Sequence, residues 1–330
     1  MKQKADHYLA ILEKGILRLR LVDSSPARIS QLDLLSLDHH ELVRRTGINL
    51  LQLKDYIASL IESLQPKSQT ALQLHQSTGF VSSGNEKIDE LLGGGIRIGE
   101  ITEFTGEAAS GKSTLAVTTL LTVQSTASPE SIYVSTESGL STTRIYQIAK
   151  RLGIPSSNPG DKIHCILCPD LEVQDHIIRY QLPVLLSRQK IGLIVLDSVT
   201  ANYRIEYTER SKMSQRSREL EILADTLRRY AQEYKLAVVV TNQVADKIGT
   251  EDDDIWSLDY QNRWLTGQTG KVPALGFVWS NCIDCRIVLS RYEEERLLNM
   301  VLCNRTAGGS IKIRIEEGGV VDGDEEEAAV

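Results

Sequence analysis

The segment GEAASGKS, Gly106 to Ser113, follows an apolar strand-like run and opens a helix-like one, with the spacing G-x4-G-K-S. Two glycines so placed let the chain curl until successive backbone N–H groups face one centre, where a helix N-terminus adds partial positive charge. That arrangement suits a phosphate chain. Gly106, Glu107, Ala108, Ala109, Ser110 and Gly111 would wrap the β-phosphate of ATP, and Lys112 would reach the β- and γ-phosphates. Ser113, followed by Thr114, would offer its hydroxyl to Mg2+ as the second cofactor.

Such chemistry also needs a carboxylate near the metal, at the end of a buried neighbouring strand. IGLIVLDS supplies it: Ile194, Val195 and Leu196 make the strand and Asp197 ends it. Hydrolysis further asks for a carboxylate on a different strand end, able to polarise water toward the γ-phosphate. Glu137, just after the strand-like Ile132 to Ser135, has that placement, so Glu137 and Lys112 form the expected catalytic pair.

The elements that must position these groups alternate in type. Strands are expected at Glu100 to Thr105, Ile132 to Ser135, Lys162 to Leu167, Gly192 to Leu196 and Leu236 to Thr241. Helices are expected at Ser113 to Gln124, Thr142 to Leu152, Val173 to Ser187 and Ser214 to Glu233. That alternation predicts an α/β core with a mostly parallel central sheet and helices on both faces. Three further strand-like runs, Gly276 to Leu289, Leu297 to Cys303 and Ser310 to Ile315, predict antiparallel hairpins closing one edge.

Ahead of the core, apolar residues recur at helical spacing through Leu64, with Thr46-Gly47-Ile48-Asn49 as a tight turn of helix-hairpin-helix type. The expected division is a helical N-terminal domain at 1–64, an exposed polar linker at 65–77, the core at 78–318 and an acidic disordered tail at 319–330. The net charge is -7, but nine acids sit in Glu251 to Asp254, Asp322 and Asp324 to Glu327; without those nine it would be +2, so a basic surface elsewhere is allowed. No run approaches the roughly 18 apolar residues of a membrane span, and an intracellular protein with no membrane partner is expected. Cys165 with Cys168, and Cys282 with Cys285, form CxxC pairs, yet HCILC and NCIDCRIVL read as strands, where residues three apart face opposite sides. The cysteines therefore read as ordinary buried side chains and not as metal ligands.

YVSTESGLSTTR, LIVLDSVTANYR and VVVTNQV follow the P-loop in that order and resemble the RecA/RadA recombinase family, the ring and filament ATPases of homologous recombination. The resemblance runs from about residue 30 to 317 and implies a RecA-like P-loop ATPase core. It further implies that Glu137 activates water, that Arg144 packs on the adenine, and that Gln243 senses the γ-phosphate and couples ATP to DNA-binding loops. Two mobile loops would hold single-stranded DNA, about Arg204 to Arg218 and Ala245 to Leu275. In the first, Arg204, Arg210, Lys212, Arg216 and Arg218 outnumber Glu206 and Glu209. In the second, Glu251 to Asp254 would repel phosphates, so Trp256, Tyr260 and Trp264 read better as cover for a protein partner than as base-stacking groups.

The linker lacks the phenylalanine that strand-exchange recombinases plug into a neighbouring subunit. Together with DLLSLDHHELVRRTGINLLQLKDYI and PALGFVWSNCIDCRIVL, this departure resembles the eukaryotic recombinase paralogues, mediators that pair with one another. The implied function is an ATP-dependent recombination mediator, with weak DNA-dependent ATPase activity, that assists the main recombinase filament on single-stranded DNA during repair. Its implied state is a nuclear heterodimer with a second recombinase paralogue, with Lys271 and Pro273 near a neighbour's nucleotide. The alternatives are a self-assembling strand-exchange recombinase and a hexameric RecA-fold ATPase.

Overall fold

The computed structural model describes residues 34, 36–64, 68, 70–76, 78–125, 130–137, 139–154, 158–246, 271–292 and 295–323. The chain divides into two compact units, Met1–Gln76 and Ser77–Val330. Among the described residues no helix is long and apolar enough to cross a membrane.

In the first unit, helix α1 (His39–Thr46) starts at Asp38, whose carboxylate accepts from the His40 N–H, and stops at Gly47 in the left-handed region, φ 67°. Helix α2 (Leu50–Leu64) follows, and Leu34, Leu42, Leu53, Ile57 and Leu60 form a small core. The segment expected as an exposed polar linker contains a helix, α3 (Ala71–Gln76). A reciprocal cap explains it: the Gln73 N–H donates to Thr70 Oγ1 at 3.2 Å and the Thr70 N–H donates to Gln73 Oε1 at 2.9 Å. Ala71, Leu72 and Gln73 remain exposed, as a linker requires.

The second unit is a twisted sheet between two helical layers. Its strands are β3 (Ile101–Gly106), β4 (Glu130–Ser135), β5 (Ile163–Leu167), β6 (Ile191–Asp197), β7 (Ala237–Asp246), β8 (Lys271–Pro273), β9 (Cys285–Tyr292), β10 (Glu295–Cys303), β11 (Gly309–Glu316) and β12 (Gly319–Asp322). A separate two-stranded ribbon pairs β1 (Phe80–Val81) with β2 (Ile96–Arg97). The order is β12-β11-β10-β9-β3-β7-β6-β4-β5, with β8 beside β7. From β9 to β5 the pairs are parallel, and β9 to β12 form antiparallel hairpins.

Period-two alternation splits the central strands between two cores. Leu193, Val195, Ala237 and Val239 face a core with α5 (Lys112–Thr122) and α6 (Thr142–Arg151). Ile194, Leu196, Val238 and Val240 face the other. That second layer holds α7 (Leu171–His176), which runs through a π turn into α8 (Leu182–Arg188), with α9 (Thr200–Glu206), α10 (Met213–Glu233) and α11 (Gly276–Ser280). α4 (Glu86–Leu91) lies beside the ribbon, with Asn85 as its cap.

Three expectations fail here. The strand-like run Gly276 to Leu289 begins as α11, and the strand starts only at Cys285. An apolar run cannot by itself distinguish a buried strand from a buried helix turn, and burial of Trp279 against α10 decides for the helix. Gly319 to Asp322 form β12, not the start of a free tail; Val320 is buried in the core, and Arg151 Nε donates to the Gly318 carbonyl at 2.5 Å. Residues 324–330 lie outside the described residues. Cys165 is exposed on β5, a strand with one neighbour among the described residues, whereas Cys168 and Cys285 are buried and Cys282 and Cys303 are half-buried.

Candidate functional site

The loop between β3 and α5 is bent by Gly106, Ala109 and Gly111, with φ of 156°, 59° and 111°. Space and conformation both demand glycine at Gly106, where an added Cβ would lie 2.2 Å from the Leu289 carbonyl oxygen. Gly111 is the N-cap of the 11-residue α5 and supplies no side-chain acceptor, which leaves the first-turn N–H groups for a ligand. Ala108 and Ala109 are exposed, while the Ser110 hydroxyl is buried without a partner among the described residues. Lys112 is buried beneath the loop, and its Nζ donates to the carbonyls of Gly106 (2.9 Å) and Glu107 (2.6 Å). Burial pushes the Lys112 pKa down, against the pull of Asp197, Glu137 and Glu107.

Asp197 ends β6 beside this loop. Its Oδ2 accepts from the Tyr133 hydroxyl at 2.8 Å and its Oδ1 from Thr241 Oγ1 at 2.5 Å. Burial, then the Asp197 charge, push the Tyr133 pKa up, so the phenol stays a donor. Ser113, Thr114, Asp197, Glu137 and Arg144 line one cavity of about 190 Å³. Arg144 is held at its edge, donating to the carbonyls of Glu316 (2.6 Å) and Glu317 (2.7 Å).

Glu137 follows β4, two strands from β7 with β6 between. Its Oε1 accepts from Gln243 Nε2 at 3.0 Å and from Ser198 Oγ at 3.4 Å. Gln243 Oε1 in turn accepts from Arg204 Nη1 at 3.2 Å. A second cavity, about 590 Å³, is lined by Gly106, Glu107, Ala108, Arg204, Gln243 and Lys271. Lys271 on β8 contacts Glu107 Oε1 at 2.5 Å, so it meets the phosphate-loop segment of its own chain.

The first expected mobile loop is largely helical. Arg204 stands exposed on α9, Arg210 and Lys212 bound a 3-10 turn, and Arg216 lies in the first turns of α10. Tyr203 and Tyr207 explain the order: they stack at 6.1 Å between centroids, are buried in the core, and the Tyr203 hydroxyl reaches the Glu219 carbonyl. Arg216 is half-buried, and burial pushes its pKa down; Lys212 is exposed. Of the second loop, Ala245 and Asp246 extend β7, and Glu251 to Asp254, Trp256, Tyr260 and Trp264 lie outside the described residues.

Two groups that hold Asp197 escaped the sequence reading, Tyr133 and Thr241. The available signal was a polar group inside or directly after an apolar run, Tyr133 between Ile132 and Val134 and Thr241 after Val238 to Val240, since such groups are buried only with a partner. Glu103 in β3 is a third case, considered below.

A strand, glycine-rich loop and helix, with an aspartate ending a parallel strand of the same sheet and hairpins on the far edge, define the RecA-like α/β class. Residues 75–322 match the family profile described as Rad51. The chain is 40% identical over 292 residues to DNA repair protein rhp57 of Schizosaccharomyces pombe, covering 79% of this chain and 82% of that protein. It is 38% identical over 200 residues to DNA repair protein RAD57 of Saccharomyces cerevisiae, covering 54% of this chain but only 43% of that protein. DNA repair and recombination protein RadA of Metallosphaera sedula is 31% identical over 212 residues, covering 62% of this chain and 65% of that one. The chain belongs to the Rad51 family, and its yeast relatives are eukaryotic recombinase paralogues.

Proposed function

We propose that this protein is an ATP-dependent recombination mediator that assists assembly or stability of a recombinase filament on single-stranded DNA during repair by homologous recombination. The single observation that carries the nucleotide part is the convergence of the glycine-bent loop, Lys112, Asp197 and the Glu137–Gln243 pair on adjoining cavities. The names of the yeast relatives, both DNA repair proteins, support the repair part.

ATP and Mg2+ fit the residues present. The partnerless Ser110 hydroxyl, the open first turn of α5 and a loop that tolerates no Cβ at Gly106 suit a phosphate, and Ser113 with Asp197 is a hard oxygen donor set. Magnesium, when bound, neutralises charge on the phosphate oxygens. The Gly106-to-Ser113 backbone would orient the phosphates, and Lys112, here satisfied by two carbonyls, would bring its charge to the phosphate oxygens. Tyr133 and Thr241 each donate to one Asp197 oxygen and so fix the carboxylate that, with Ser113, would hold the metal. Glu137 polarises water, Gln243 holds Glu137, and Arg144 borders the adenine.

Arg204, Arg210, Lys212 and Arg216 contribute to contact with DNA phosphates, Arg216 less than its charge suggests because it is half-buried. The working divisions are a helical unit, a short linker and an ATPase core, acting in the nucleus. The partner is a second recombinase paralogue. The test is affinity purification of the tagged chain from its own cells, with the complex weighed by native mass spectrometry, in parallel with Lys112→Ala. A one-to-one complex with another RecA-like chain is expected; a homo-oligomer without such a chain would refute the mediator reading.

A further inference from the structure

Glu103 is a fully buried carboxylate on β3, three residues before Gly106, and no role proposed above uses it. It sits on β3, on the face shared with Ile101, and it collects three donors. Trp279 Nε1 of α11 donates to its Oε1 at 2.7 Å, Asn242 Nδ2 of β7 donates to the same oxygen at 2.8 Å, and Arg286 Nε of β9 donates to Oε2. Arg286 is held from its other side by Ser280 Oγ, at 3.1 Å from both terminal nitrogens.

The polarity of this cluster propagates toward the site. A carboxylate is acceptor-only, so Asn242 must turn its amide nitrogen to Glu103 and its carbonyl oxygen away. That oxygen accepts from the hydroxyl of Thr200, which is then left to accept the Gln243 N–H at 3.2 Å. Gln243 thus has a fixed backbone, and its side chain spans Glu137 and Arg204. Glu103, Trp279, Arg286, Asn242 and Thr200 are nearly or wholly buried, and Thr200 lines neither cavity of the site.

We propose that Glu103, through Asn242 and Thr200, is a positioning residue that sets the pose of Gln243 and thereby the preference of the site for a nucleoside triphosphate over a diphosphate. This rests on the nucleotide reading above. It connects α11, the helix directly after β8, to Gln243, without direct contact with ligand. The chain of donors has one direction, and the Glu103 charge dictates it.

The test uses the full chain with Mg2+ and methylanthraniloyl-labelled ATP and ADP, comparing wild type with Thr200→Val, Thr200→Ser and Trp279→Phe, each checked by thermal melting. Thr200→Val keeps the shape and deletes the hydroxyl; its ATP preference should fall about tenfold, the size of one buried hydrogen bond, with ADP affinity nearly unchanged. Thr200→Ser should restore the preference, and Trp279→Phe, which keeps an aromatic group and removes the donor, should move it in the same direction as Thr200→Val. A wild type that binds both nucleotides equally, a folded Thr200→Val with unchanged preference, an equal loss of both nucleotides, or failed rescue by serine would each overturn the relay. Should Thr200→Val not fold, the Trp279→Phe comparison decides alone. Wild type that binds neither nucleotide would instead overturn the nucleotide reading itself.

Discussion

Glu103→Gln changes one atom type at the centre of the second unit and should cost more stability than its size suggests. The pair it breaks is fully desolvated: the side chains of Glu103 and Arg286 are 0% and 2% exposed. Glutamine replaces an acceptor-only group that serves three donors with one oxygen and one amide nitrogen, which must face a donor. The Arg286 guanidinium then stays buried with no compensating charge, a situation worth about 3–5 kcal/mol. Against a total stability of roughly 5–15 kcal/mol that is a large fraction. For a unit of this size it corresponds to a fall in melting temperature of about 6–20 °C. Differential scanning calorimetry and urea unfolding would measure it, with the double variant Glu103→Leu/Arg286→Met as the control. Removing both charges should recover much of the loss, because the desolvation cost disappears with the attraction. A single variant within about 1 kcal/mol of wild type, or a double variant no better than the single, would refute the argument.

Gly106→Ala should abolish nucleotide binding by equilibrium fluorescence, since its Cβ would lie 2.2 Å from the Leu289 carbonyl oxygen and 2.8 Å from Ser110 Oγ. Ending the chain at Gly318 should destabilise it to urea by at least the ~1.5–3 kcal/mol that burial of Val320 contributes. Cys303 faces Cys285 across β9 and β10, and the hydrogen bond from the Cys285 thiol, with donors from Arg305 and Thr306, holds the Cys303 pKa well below the usual thiol range. A depressed pKa means thiolate at lower pH, so iodoacetamide labelling followed by peptide mass spectrometry should find Cys303 modified below pH 7. The exposed Cys165, whose pKa burial pushes up, should need higher pH despite its better access.

The loop from Gly106 to Ser113 and the strand ending at Asp197 were legible because each is one contiguous stretch whose residue types state their own backbone needs. Alternating strand and helix periods likewise declared the parallel sheet. The run from Gly276 misled for a definite reason: five apolar or small residues satisfy either period, and only the burial of Trp279 against α10 selects the helix. Arg204 to Arg218 misled differently, because this polar, charged segment conceals Tyr207, which stacks on the preceding Tyr203, itself bonded to Glu219 of α10. The Thr70–Gln73 cap was readable as a T-x-x-Q signature and was hidden by the polar composition around it.

Sequence alone determined the chemistry this chain can attempt, since a phosphate-binding loop and a carboxylate at a strand end are local properties of spacing and polarity. Tertiary structure decided which groups act on one another. Gln243 meets Glu137 across 106 residues, and Trp279 and Arg286 meet Glu103 across 176 and 183. Those contacts exist because the sheet runs β9-β3-β7-β6-β4, out of chain order, which brings distant strand ends side by side. Strand order is chosen by burying whole apolar faces at once, a collective free energy that no local pattern encodes.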